Sequence, residues 1–231
     1  MIDKVLDYER NLFFALNGSE SEYLDRFMWL YSGKTVWLPV AALIIFILLY
    51  KKMWKESLFI VLSITLVVVL CDQFASGVCK PYFHRFRPTH HPDFMNEVDT
   101  VFNYRGGKYG FMSSHAANAF GFAMFMAYLF KNALFSWTIF IWATLTAYSR
   151  IYLGVHFISD VVPGIVVGLL VGYGVYRLYK WSRSRILAKA AVVAPPYAMY
   201  SYRQKCVAAG GICVTAAVLL LFNSLLVSLL R

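Results

Sequence analysis

Acidic residues are scarce in this chain. Its 231 residues include 12 Asp and Glu against 22 Lys and Arg, and charged residues make up only 15% of the total. Soluble domains carry about 25%, so an ordinary soluble fold is excluded as a good match. Cysteine is scarce too. Cys71, Cys79, Cys206 and Cys213 show neither metal-ligand spacing nor a disulfide framework, and free cysteine behaves as a small buried hydrophobe, so they read as packing residues. Paired carboxylates are missing: Asp93, Glu97 and Asp99 are scattered through one polar segment, whereas Mg2+ needs carboxylates brought together. His84, His90 and His91 lack the pattern of a fourth zinc ligand. No metal and no cofactor is expected. Residues 1–15 hold no apolar run, because Asp3, Lys4, Asp7, Glu9 and Arg10 interrupt them, so no cleavable signal is expected.

What the chain has in excess is apolar side chain. It is 60% hydrophobic and 18% aromatic, with a mean hydropathy of +0.58. This composition suits a polytopic membrane protein, and one that is all-α, since a helix satisfies its own backbone groups in lipid. The net charge of +10 raises nucleic acid as a partner. The bases, however, are dispersed between apolar spans rather than gathered on one face, so the lipid bilayer is the expected partner and nucleic acid is not.

Six transmembrane helices in a bundle are expected, at 36–50 (beginning a turn earlier, near Ser32), 58–78, 115–130, 134–153, 157–179 and 206–230. Two short amphipathic patterns precede them, at 5–16 and 23–31. They read as interfacial helices with Phe13, Phe14, Phe27, Trp29 and Tyr31 at headgroup depth. In the fifth span Gly164, Gly168, Gly172 and Gly174 point to close helix packing. The chain thus divides into an interfacial segment (1–34), a catalytic transmembrane core (35–180), a basic cytoplasmic connector broken by Pro195-Pro196 (181–205) and a C-terminal transmembrane helix (206–231).

If the spans alternate, the connectors at 51–56, 131–132 and 177–205 share one side, with eleven Lys or Arg against the single acid Glu56. The other side is balanced. The positive-inside rule places the basic side in the cytoplasm, so the polar segment 80–114 and the 150–156 turn face outward.

Three groups of polar residues then meet at one membrane surface. Lys80 and Arg87 end the second span, Ser113, Ser114 and His115 open the third, and Ser149, Arg150, His156 and Asp160 join the fourth to the fifth. Each has a plain reading when taken singly. Lys80 and Arg87 suit snorkelling headgroup anchors, Ser113 suits a helix cap, Arg150 suits a lipid phosphate, and His156 with Asp160 suits a cap and its neighbour. If the chain is helical from His156 onward, the pair shares one face, so the carboxylate holds one imidazole nitrogen and leaves the other free.

Lys80-x6-Arg87-Pro88, Ser113-x-His115 and Ser149-Arg150-x5-His156-x3-Asp160 together resemble the three-part signature of the type 2 phosphatidic acid phosphatase superfamily, over about residues 58–178. That family includes membrane lipid phosphatases and, more distantly, vanadium haloperoxidases. The second motif departs from the usual Pro-Ser-Gly-His at Met112 and Ser114; a glycine would let backbone approach phosphate closely, and Ser114 offers a hydroxyl instead. The resemblance implies a phosphohistidine mechanism with His156 as nucleophile, Asp160 fixing its tautomer and His115 as acid and then base. Lys80, Arg87, Arg150, Ser113 and Ser114 would bind the phosphate. Asn118, one turn after His115, and Arg105 and Tyr109, in the loop before it, are candidates for headgroup recognition.

The expected activity is metal-independent removal of phosphate from a membrane lipid phosphate or diphosphate: undecaprenyl diphosphate, a lipid A phosphate, phosphatidylglycerol phosphate or phosphatidate. The expected location is a bacterial inner membrane, with the site facing the periplasm or exterior. The alternative is a non-catalytic phospholipid transporter or flippase using the same cations. A haloperoxidase is disfavoured, since those enzymes are typically soluble. In a cysteine-free background, an impermeant thiol reagent should label a cysteine introduced near Asp93 and not one near Arg183. The opposite pattern would refute the orientation.

Overall fold

The computed structural model describes residues 3–186 and 195–230, and all regular elements among them are helical. Helices α1 (Asp3–Leu16) and α2 (Glu22–Ser32) precede α3 (Leu38–Leu49). Helix α4 (Trp54–Asp72) widens into a π-helical stretch at Gln73–Cys79 and ends in α5 (Lys80–Phe83). After the polar segment come α6 (Ser114–Phe130), α7 (Ala133–Tyr152), α8 (Ile158–Ile186), α9 (Tyr202–Leu221) and α10 (Asn223–Leu230). Several starts are fixed by side-chain caps: Ser21 on Leu24 N–H, Ser113 on Ala116 N–H, Asn132 on Phe135 N–H, and a Ser201–Gln204 capping box.

Helix α6 is the centre of the bundle, in contact with α4, α7 and α8. Its Ala116, Ala117, Ala123, Phe125 and Met126 are wholly buried. The closest approach is to α8. A Cβ added at Gly164, Gly168 or Gly172 would lie 2.7, 2.4 or 2.3 Å from the carbonyl oxygens of Ser113, Ala117 and Gly121. Only glycine fits there, and the stripe repeats every four residues, once per turn. Gly174 faces open space and takes no part in the contact. Because this stripe holds α6 and α8 together from their N-termini onward, it sets His115 beside the 156–160 turn.

Among the described residues three helices are long and apolar enough to cross a membrane: Trp54–Phe83, Ile158–Ile186 and Tyr202–Leu221. A fourth results if Glu22–Ser32 and Thr35–Leu49, bent by 68° at Gly33-Lys34, count as one span. This is a coarser outcome than the six spans expected. Helix α6, at 17 residues, is about 25 Å long, short of a hydrocarbon core of about 30 Å.

Other expectations need correction. The final span at 206–230 is not one helix: it breaks at Phe222, and α10 packs on α2. Helix α8 continues to Ile186, into the expected connector, whose residues 187–194 lie outside the described residues. Three of the aromatics expected at headgroup depth are buried in protein instead. Phe13 is fully enclosed against Phe157 (ring centroids 5.2 Å), and Phe27 and Tyr31 pack on each other. An apolar stripe has the same spacing whether it faces lipid or protein. His156 precedes α8, which begins at Ile158, so its approach to Asp160 is made by a turn rather than along a helix face.

The glycine stripe carries a direct test. Gly168→Val should lower the melting temperature in detergent by several degrees, since overpacking a close contact costs about 1–3 kcal/mol, while Gly174→Ala should leave it unchanged or raise it. Equal behaviour of the two variants would contradict this packing.

Candidate active site

His156 and Asp160 are both fully buried, with imidazole Nδ1 3.5 Å from carboxylate Oδ2. That is longer than a formed hydrogen bond, as catalytic contacts often are before substrate arrives. The carboxylate itself is firmly held. Oδ2 accepts from Phe157 N–H at 3.0 Å and Oδ1 from Arg85 Nη1 at 2.7 Å, while the Asp160 carbonyl accepts from Ser113 N–H at 3.0 Å. The last bond joins the 113–115 motif directly to the 156–160 turn. Gly110 completes the wall, since a Cβ there would lie 2.8 Å from Asp160 Oδ2.

Three cations surround this pair. Arg87 and Arg150 are buried and Lys80 is partly buried, yet among the described residues none of the three has a carboxylate within ion-pairing distance. Neutral groups hold them instead. Lys80 Nζ donates to Ser76 Oγ at 2.9 Å and lies 3.5 Å from Ser114 Oγ. Arg87 donates to the Tyr109 carbonyl at 3.1 Å and the Val155 carbonyl at 3.2 Å. Arg150 donates to Tyr104 Oη at 3.1 Å and to Ser32 Oγ. Burying a charge without a counter-charge is expensive. A site built this way is completed by an anion, and the capped N-terminus of α6 adds backbone dipoles of the same sense.

Two cavities open beside the pair, both lined by His115, Ser32, Gly33 and Lys34. One, about 480 Å³, also takes in Arg150, Tyr104 and Trp29. The other, about 450 Å³, is lined by Asn118, Ser114 and the apolar side chains of Trp37, Ala41, Val68 and Phe122. Asn118 therefore shares the His115 cleft, and among the described residues its buried Oδ1 has no partner. Ser113 serves as the α6 cap, and Met112 is buried beneath it. Arg105 and Tyr109 line neither cavity. Arg105 is exposed and offers its carbonyl to Thr89, and the Tyr109 ring packs on His84 and Phe86. His156 does not line them either, being closed off in this state.

Residues 85–87 and 108–110 are zipped together by an antiparallel bridge from Phe86 to Tyr109, with Arg87 N–H bonded to the Lys108 carbonyl and Gly110 N–H to the Arg85 carbonyl. This short ladder fixes both ends of the polar segment over the site. Among the described residues no three His, Cys, Asp or Glu side chains are placed to hold a metal ion.

Several participants escaped the sequence reading. Arg85 lies inside the 80–88 motif, where nothing in the local sequence marks it. Its guanidinium spans Asp160 and Glu9, the latter at 3.0 Å, and sits 4.9 Å from the Phe157 ring centre. Tyr104, beside the expected Arg105, is the residue that meets Arg150. Asn17, in the α1–α2 link, bonds the Tyr152 carbonyl at 2.9 Å and both the N–H and carbonyl of Asp99, pinning the polar segment to the end of α7. The one local signal for Asn17 is its turn sequence Asn-Gly; the ion pairs of Arg85 leave none.

Burial holds the His156 imidazole well below its usual pKa, the charges of Arg87, Arg150 and Lys80 push the same way, and the Gly110 backbone opposes them weakly. The phenol of Tyr104 is lowered on balance: burial raises it, but the charge and hydrogen bond of Arg150 win. Burial and the three cations both favour the neutral form of the His156 ring. The sign follows for stability. Below about pH 6.5 the unfolded chain binds a proton that the folded chain refuses, so this residue weakens the fold as pH falls. In ¹⁵N-histidine spectra at pH 5.5 the His156 ring should still be neutral; a protonated ring there would contradict the cation field.

Comparison with known proteins agrees with this geometry. Residues 57–184, more than half of the chain, match the family described as the PAP2 superfamily. The chain is similar to a lipid A 4'-phosphatase of Porphyromonas gingivalis, 49% identical over 200 residues that cover 87% of this chain and 84% of that protein. It is also similar to a lipid A 4'-phosphatase of Bacteroides thetaiotaomicron, 36% identical, with 78% and 79% covered. Among solved structures, Aquifex aeolicus LpxE superposes with a TM-score of 0.55 at 26% identity, covering 72% of this chain and 93% of that one. The family match spans all three motifs and the helices that carry them, and the chain belongs to the PAP2 superfamily of type 2 phosphatidic acid phosphatases.

Proposed function

We propose that this chain hydrolyses a phosphate monoester of lipid A, through a phosphohistidine on His156, at the periplasmic face of a bacterial inner membrane that it crosses six times. That it is an integral membrane protein and a lipid phosphatase follows from its family and its apolar helices. One observation carries the finer reading. Arg87, Arg150 and Lys80 surround a neutral, carboxylate-backed imidazole, and among the described residues none of the three makes an ion pair. A phosphate monoester supplies a counter-charge and the electrophile together. The 49% identity to a lipid A 4'-phosphatase and the cavity size support the headgroup: Trp29 and Tyr104 give flat aromatic faces for a sugar, and the adjoining apolar cavity suits hydrocarbon.

Nδ1 of His156 faces Asp160, so Nε2 is the attacking atom. It forms a bond to phosphorus as the bond to the sugar oxygen breaks, and His115 gives its proton to that oxygen. Asp160 stabilises the charged ring. Lys80, Arg87 and Arg150 hold the three equatorial oxygens, whose charge spreads in the transition state. Water then gives a proton to His115 and attacks phosphorus, releasing phosphate and restoring the imidazole. Since His156 is enclosed in this state, entry of the phosphate requires Arg150 to exchange Ser32 and Tyr104 for phosphate oxygens.

Phosphate release by purified protein in EDTA should proceed faster on lipid A than on undecaprenyl diphosphate, phosphatidylglycerol phosphate or phosphatidate. His156→Ala should lower it by about a thousandfold or more. Unaltered turnover in that variant would leave a binding or flipping role for the cations, and equal rates on phosphatidate would overturn the headgroup assignment.

A further inference from the structure

Glu9 lies on α1, outside the segment that matches the family, yet its carboxylate is buried beside the site. It accepts Arg85 Nη2 at 3.0 Å, the backbone N–H of Ser159 at 2.8 Å, and the Ser159 hydroxyl. Arg85 in turn donates through Nη1 to Ser159 Oγ and to Asp160 Oδ1, both at 2.7 Å. These four side chains form a closed set: two carboxylates, one guanidinium and a hydroxyl, with the first turn of α8 as their floor. Arg85 thus differs from the three phosphate-facing cations, because it is ion-paired with two carboxylates.

We propose that Glu9 is a positioning residue for the phosphoryl transfer, acting on His156 through Arg85, Ser159 and Asp160. The proposal rests on the reading of His156 as nucleophile. Two effects combine. Glu9 anchors the N-terminus of α8 by accepting the Ser159 N–H, which fixes the turn that carries His156 and Asp160. It also shares the charge of Arg85. With Glu9 neutral, that charge falls on Asp160 alone, and a carboxylate drained by an unbalanced guanidinium is a weaker acceptor for the imidazole N–H. Asp160 would then hold the His156 tautomer less firmly and stabilise the imidazolium less in the transition state. The first helix is by this account a working part of the active site. The enclosed contact of Phe13 with Phe157, and the Asn17 bond to the end of α7, hold it there.

Glu9→Gln keeps the shape and removes the charge. In lipid phosphate hydrolysis it should lower kcat by about tenfold or more while KM stays within about twofold, because Glu9 touches no substrate. Ser159→Ala, which removes one hydroxyl and leaves both charges, should lower kcat by about two- to fivefold. In ¹⁵N-histidine spectra of the full chain in detergent, His156 should show a single tautomer protonated at Nδ1 in the wild type and a mixture in Glu9→Gln. A wild-type kcat in Glu9→Gln, a change confined to KM, or an unaltered His156 spectrum would overturn the proposal. If the wild type releases no phosphate from any lipid, the phosphatase reading fails instead, and the spectra alone decide the role of Glu9. If Glu9→Gln does not fold, Ser159→Ala is judged by the same kcat and spectral criteria.

Discussion

Everything at this site depends on how closely α6 can approach α8. Within a membrane no hydrophobic force separates helix contacts from lipid contacts, so backbone proximity has to come from small residues. The Gly164, Gly168 and Gly172 stripe provides it, seated on the carbonyls of Ser113, Ala117 and Gly121. The same contact aligns the two helix starts, where Ser113 N–H meets the Asp160 carbonyl. His115 and the His156–Asp160 pair come from motifs about forty residues apart in sequence, and this single interface brings them to one depth.

On that frame the electrostatics are asymmetric. Glu9 and Asp160 are both ion-paired with Arg85, and among the described residues no carboxylate lies within ion-pairing distance of Lys80, Arg87 or Arg150. The far end of α8 shows the contrast. There Glu56 receives Arg183 at 2.8 Å together with the Tyr179 hydroxyl, a matched pair that fastens α4 to α8. Removing one partner from such a buried pair costs about 3–5 kcal/mol. At the other end, by the proposed reading, the missing partner is the substrate. The protein holds its cations on serine, phenol and carbonyl oxygens that a phosphate can replace.

Much of this was legible in the sequence because apolar runs and short motifs are local. The limits expected for helices at 115–130 and 134–153 agree with α6 and α7 to within a residue at each end, and Ser113 caps α6. The expected cleft partners His115 and Asn118 share a cavity. What stayed hidden depends on distant partners. Phe13 has the spacing of an interfacial aromatic, and nothing near it in sequence tells that it meets Phe157. Glu9 and Arg85 lie 76 residues apart, so no periodicity joins them. The break at Phe222 does leave a mark, the polar pair Asn223-Ser224, but two polar residues in a long apolar run are tolerated in a single span, so the pair alone does not tell a break from a continuous helix. Tyr104 and Arg105 sit side by side in one loop, and only the folded backbone shows which of them turns toward Arg150.

The central claim is that phosphorus becomes bonded to His156. Phosphohistidine survives alkali, so protein mixed with ³²P-labelled lipid phosphate, quenched in alkali within one turnover and digested, should carry label on the peptide containing His156. The label should form more slowly in His115→Ala, which lacks the acid for the leaving oxygen, and vanish in His156→Ala. Phosphate release without label on His156, or label on another residue, would contradict the account.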